Sequence, residues 1–170
     1  MKKVYFFLLI ASMASPSCKP EAVPPDDSLE ILMLALVHLP VQFPLDFVAD
    51  EVVGDYKPST GLLRVTGKMV GTNDKIELRI RDTGNEVEGE YNIGDFSLSD
   101  TNVKAEFLDG TNAWNARSLS GTFIITKFEP SQTAKVWFLS GTFSFRAKSG
   151  DQEFDITQGE IKNALILEES

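Results

Sequence analysis

The chain has 170 residues, of which 42% are hydrophobic and 24% charged, proportions that suit one globular domain with a single apolar core. A formal charge of −9, with no basic stripe interleaved with aromatics, excludes a nucleic-acid partner because the field repels a phosphate backbone. One cysteine and one histidine exclude an intramolecular disulfide and a His/Cys metal cluster, so neither a metal nor another cofactor is expected.

Residues 1–17 have the layout of a signal peptide, with Lys2 and Lys3 as the charged start, "VYFFLLIASMA" as the apolar core and "SPS" as a small-residue cleavage zone. The core is shorter than the roughly 20 apolar residues of a permanent spanning helix. Cys18 follows. A lone thiol in an oxidising compartment oxidises or pairs with a neighbour, and conversion to a thioether removes that hazard. "ASPSC" resembles a bacterial lipobox, in which the cysteine after the cleaved bond receives a diacylglycerol. Ser15 and Pro16 depart from that pattern, and Ser15 with Ser17 also suits an ordinary signal peptidase, which would release a secreted protein. Lipid attachment at Cys18 is the expectation; acyl chains contribute about 0.8 kcal/mol per buried methylene and hold a protein to a membrane.

Residues 18–28 read as a tether, since their prolines and acids disfavour both helix and burial. Residues 29–39, "LEILMLALVHL", form an apolar helix or strand. Asp27 or Ser28 is placed to cap a helix and Pro40 to end it, and at a rise of about 16 Å such a helix does not span. The segment either packs on the domain or lies at the membrane beside the anchor. His38 has no acid or nucleophile near it in sequence and reads as structural.

Residues 40–170 form a β domain with a period of two. Leu63, Val65 and Met69 alternate with polar residues, as do Ile76, Leu78 and Ile80, then Val87, Tyr91 and Ile93, then Val103, Ala105 and Phe107. "TND" at 72–74, "DTGN" at 82–85, "SDTN" at 99–102 and "DGTN" at 109–112 supply turns between them. "LSGTF" occurs at 119–123 and again at 139–143, which suggests two neighbouring strands joined through "EPSQ". In the second, Trp137, Leu139, Phe143, Phe145 and Ala147 share one face while Val136 and Phe138 take the other, so half of this strand is expected to be buried on both sides. Gly141 marks a bulge or a close backbone approach. Phe154 and Ile156 have even parity but Ile161, Leu165 and Leu167 odd, which predicts a bulge at Gln158–Gly159. The fold class is all-β: a single-domain antiparallel sandwich or open up-and-down barrel of about eight strands, with room for one short N-terminal helix.

Gly121, Thr122 and Phe123, then Gly141, Thr142, Phe143 and Phe145, then Ile156, Thr157, Gly159 and Ile161 form a pattern. It resembles a lipoprotein family of Bacteroidota, a domain of unknown function with paired GTF strands and a C-terminal I-T-x-G strand. The resemblance is best over residues 119–163. It implies acylation at Cys18 and display at a Gram-negative envelope, on the outer membrane facing the periplasm or the cell surface. About mechanism it implies nothing.

No nucleophile motif or phosphate loop is present, and no catalytic residue is assigned. Asp82, Glu86, Glu88 and Glu90 have a spacing that suits calcium, but the three glutamates also form one solvated strand face, the commoner arrangement. Trp114 lies after an Asp-Gly turn among Asn112, Asn115 and Arg117, a mixture that suits contact with a sugar or peptide or else the closing of one end of the core. The expected function is non-enzymatic binding or structural support at the envelope, with the membrane as partner through the lipid and a protein or glycan as the other. A carrier of a small apolar ligand would need a cavity lined by Phe107, Trp137, Phe143 and Phe145. A hydrolase of envelope glycans would need a cleft with two close carboxylates.

Overall fold

Wherever apolar residues recur at every second position, a strand forms. The computed structural model describes residues 30–40, 44–84, 86–131 and 135–169, all strand, turn or irregular. Ten strands follow in order: β1 (Leu32–His38), β2 (Leu45–Val48), β3 (Glu51–Lys57), β4 (Leu62–Lys68), β5 (Lys75–Ile80), β6 (Gly89–Ile93), β7 (Val103–Asp109), β8 (Trp114–Pro130), β9 (Val136–Ser149) and β10 (Gln152–Glu168). The all-β class is as the alternation implies, with ten strands in place of about eight. Of the two alternatives for the apolar run of 29–39, helix or strand, its described part takes the strand, Leu32–His38 forming β1. Its helical propensity is overridden because Met33, Ala35 and Val37 enter the core at a period of two.

Backbone pairing returns on itself. From β10 it passes through β3, β4, β5, β7, β8 and β9 and back to β10. Of the two expected architectures, sandwich or barrel, the pairing describes a barrel whose ring is closed, and closure removes the free edges of the ring. The short β6 is wedged beside β8, and the β1–β2 hairpin attaches outside the ring to β10. Two pairings are parallel, β3 with β10 and β6 with β7, so the sheet is not purely antiparallel. One end of the barrel, here the upper end, carries the β3–β4 and β8–β9 connections and the finish of β10. The lower end carries the β4–β5, β7–β8 and β9–β10 turns.

Side chains fill the interior. Phe47, Phe107, Phe123, Phe154, Met33 and Leu63 are among the largest fully buried ones, and Phe143 and Phe145 are buried with them. Strand β9 keeps strict alternation from Leu139 to Ala147, whereas both its neighbours are bulged: β8 between Ser118 and Ser120 and between Ile125 and Lys127, β10 between Ile156 and Gly159 and between Ile161 and Ala164. The first β10 bulge adjoins the position expected from parity, with Gln158 at φ 52°. The second, at Asn163 (φ 49°), restores even parity, so Ala164 and Ile166 point inward and Leu167 turns out to solvent.

Gly141 is a close approach and not a bulge: a Cβ there would meet the Ile124 carbonyl oxygen of β8. On β5, the almost buried Glu77 faces Lys75, at 3.3 Å, and Arg79. Burial raises its carboxyl pKa, but the hydrogen bonds and charges of Arg79 and Lys75 prevail and hold it below the ordinary value.

Two stability predictions follow from these contacts. Gly141→Ala should lower unfolding stability by about 1–3 kcal/mol in urea titration while leaving the β circular dichroism intact. Because the Glu77 pKa is lowered on folding, its stabilisation is present above the unfolded value near 4.5 and lost as pH falls through the lower folded value. The stability gap between wild type and Glu77→Gln should therefore narrow as urea titrations are taken below that pH.

Candidate functional site

Three aromatic side chains meet at the upper end because three strands finish there. Tyr56 comes from the end of β3, Phe128 from the end of β8 and Trp137 from the start of β9. Phe128 and Trp137 stack with centroids 4.8 Å apart and planes 8° from parallel, and Tyr56 stands edge-on to both, at 5.1 and 6.0 Å. Phe128 points inward only because the bulge before Lys127 shifts the parity of β8 from Phe123 and Ile125.

The segment before β6 forms the opposite wall. Glu86, Val87 and Glu88 join the aromatic trio around an open cleft of about 350 Å³. Glu88 Oε1 accepts the backbone N–H of Phe128 at 2.8 Å, and Glu168 Oε2 accepts the indole N–H of Trp137 at 3.2 Å. The Tyr91 hydroxyl reaches the carbonyl oxygens of Val87, at 2.7 Å, and Glu86, at 3.2 Å, and so holds this wall in place. Burial, with Tyr56 and Asp82 nearby, pushes the Tyr91 phenol up from its ordinary value of 10.0, so it stays a donor at neutral pH. The cleft thus offers aromatic surface for an apolar face and carboxylate oxygens for hydrogen-bond donors.

The residues expected to make contacts lie elsewhere. Trp114, at the lower end, turns inward and packs edge-on against Phe154 at 5.4 Å. Asn112 is engaged by Asp109, through its backbone N–H at 2.7 Å and its side-chain amide at 2.8 Å. Arg117 faces outward, 3.3 Å from Glu106 and with its guanidinium 5.0 Å from the Phe96 ring centre, and Asn115 is exposed on that same outer side. Alternation along β8 therefore sets Trp114 on one face and Asn115 and Arg117 on the other. His38 lies at the lower end, 3.3 Å from the Thr157 hydroxyl. Asp82 accepts the Gly84 N–H, and among the described residues no three His, Cys, Asp or Glu side chains stand together as a metal site. Cys18, the signal peptide and the tether over 18–28 lie outside the described residues.

No family model, no curated protein and no solved structure matches the chain.

Removing the phenol tests the wall of the cleft. Tyr91→Phe should cost about 1 kcal/mol of global stability, and amide hydrogen exchange should accelerate at residues 86–88 while the β9 amides keep their protection.

Proposed function

We propose that this chain is an envelope lipoprotein, held to the membrane through a lipid on Cys18, that binds an envelope glycan in the upper cleft without catalysis. One observation carries the binding reading: Tyr56, Phe128 and Trp137 converge beside the carboxylates of Glu86 and Glu88 in a cleft open to solvent. The half-buried Trp137, backed by the buried Phe128 and Tyr56, suits the C–H face of a sugar ring, and carboxylates suit its hydroxyls. The lipobox-like "ASPSC" and the resemblance to the Bacteroidota lipoproteins support the anchor. Carriage of an apolar ligand fits less well, since Phe107, Phe143 and Phe145 occupy the interior such a ligand would need and Trp137 stacks on Phe128.

A second reading, hydrolysis of envelope glycans, is favoured by a specific feature, for Glu86 and Glu88 both line the cleft. Glu88 spends one oxygen on the Phe128 amide, which suits a positioning role better than proton transfer.

Intact mass and membrane fractionation of the native protein test the anchor: acyl mass on Cys18 and release of Cys18→Ala into the soluble fraction are expected, and an unacylated soluble product would overturn it. Calorimetric titration with chitotetraose and soluble peptidoglycan fragments tests the cleft. Trp137→Ala should weaken binding at least tenfold, and equal affinity in the variant would remove the cleft from the account. New reducing ends that vanish in the Glu86→Gln/Glu88→Gln double variant would replace binding with hydrolysis.

A further inference from the structure

Exposed apolar side chains gather on one side of the barrel. Seven large hydrophobics are open to solvent among the described residues: Val70, Leu98 and Ile124 stand singly elsewhere, whereas Val48 (50%), Val53 (48%) and Leu167 (60%) lie on β2, β3 and β10, and Ile31 (39%) immediately precedes β1. These four strands are consecutive neighbours in the sheet. Register joins their outward positions: Leu34 pairs with Val48, Leu32 with Lys162, and Val53 with Leu165. Strand β1 is apolar on both faces, with Met33, Ala35 and Val37 in the core and Leu32, Leu34 and Leu36 half-buried on the outside. This side also carries charges: Lys162 and Glu160, opposite Leu32 and Leu34, pair with each other at 3.4 Å and Arg64 pairs with Asp55 at 3.7 Å, while Glu51 on β3 and Asp46, opposite Leu36, are exposed. Isolated exposed hydrophobics need no explanation, but a group of them on adjoining strands marks a contact surface.

The short sequence distance from Cys18 says what meets it. The chain reaches this face directly, since Ile31 lies only thirteen residues after Cys18. A Pro-containing segment of that length spans about 40 Å at full extension. A lipid on Cys18 would therefore keep bilayer within reach of this side of the barrel, at an effective concentration where a shallow apolar contact suffices.

We infer that the outer face of β2–β1–β10–β3 rests on the bilayer that holds Cys18, with Leu32, Leu34, Val48, Val53 and Leu167 entering the headgroup boundary. The inference rests on the Cys18 anchor proposed above. The barrel then lies on its side, and the cleft at its upper end opens along the membrane plane, toward material lying at the membrane surface.

Fluorescent labels on single introduced cysteines test this in the full lipidated protein, because an acylated Cys18 is a thioether and does not react with the dye. Val48→Cys and Val53→Cys report from the face, and Leu98→Cys from the exposed segment between β6 and β7. The proteins are placed in vesicles of phosphatidylethanolamine and phosphatidylglycerol carrying spin-labelled lipid. Quenching at positions 48 and 53 should exceed that at 98 severalfold. Acyl mass with equal quenching, or none, at all three positions overturns the docking while leaving the anchor standing. Quenching absent at 48 and 53 with crosslinking between copies through them assigns the face to a second copy and also overturns it. A product without acyl mass removes the anchor and the docking together.

Discussion

The barrel depends on β10 serving three partners at once. Its one edge pairs with β9 along almost its whole length, and its other edge is divided between β1 below and β3 above. A regular strand of 17 residues would be too straight to follow a narrow barrel, and its period-two side chains would drift out of the core as the sheet coils. The bulges at Gln158 and Asn163 correct this. Each adds a residue, bends the strand, and resets which parity faces inward, so that Phe154, Ile156, Ile161, Ala164 and Ile166 all reach the core. Bulges in β8 do the same on the other flank of the regular β9, and one of them turns Phe128 into the aromatic trio.

The two ends of the barrel are built differently, and the difference suits the binding role proposed for it. At the lower end, carboxylates tie turns to one another: Asp74 Oδ1 accepts the Gly110 N–H at 2.8 Å, and Asp50 Oδ2 accepts that of Val70 at 2.8 Å. Trp114 and Phe154 close the core above them. At the upper end the connection from β5 to β7 makes a long excursion through β6, and this excursion brings Glu86, Val87 and Glu88 over the aromatic rings. A rigid scaffold that leaves one end open is the arrangement in which connecting segments ordinarily carry binding residues, as the proposed function requires of the upper end.

Much of this was readable from residue order. Single-sided strands announced themselves: Ile76, Leu78 and Ile80, and Val103, Ala105 and Phe107, alternate cleanly because one face is core and the other water. The first β10 bulge was legible because large apolar residues flank it on both sides. The second was not, since it lies between a polar Asn163 and a small Ala164, and Leu165 and Leu167 beyond it mimic the old parity while facing outward. Parallel pairing of β3 with β10 is set by ring closure, which no local pattern records. The cleft was hidden for a related reason: its aromatic residues come from three strand ends distant in sequence, and each alone looks like an ordinary core residue. Trp114 drew attention through its polar neighbours, but alternation sends those neighbours to the opposite face.

The ambiguity of β1 has a physical source that links sequence, fold and location. "LMLALVH" shows no period because both of its faces are apolar, and such a strand is ordinarily found where a sheet is covered on both sides. Here the inner side is covered by the core, while no described segment covers the outer leucines. An uncovered apolar hairpin at the margin of a sheet is an aggregation hazard; the prolines flanking the hairpin turn, Pro40 and Pro44, and Asp46 on β2 restrain strand addition there but do not hide the face. If Cys18 carries the proposed lipid, the bilayer resolves the conflict, since lipid would cover the outer leucines as the core covers the inner residues. On this view the second apolar face of β1 is a requirement of where the protein sits, and a freely diffusing relative of the same fold would be expected to carry polar residues at positions 32, 34 and 36.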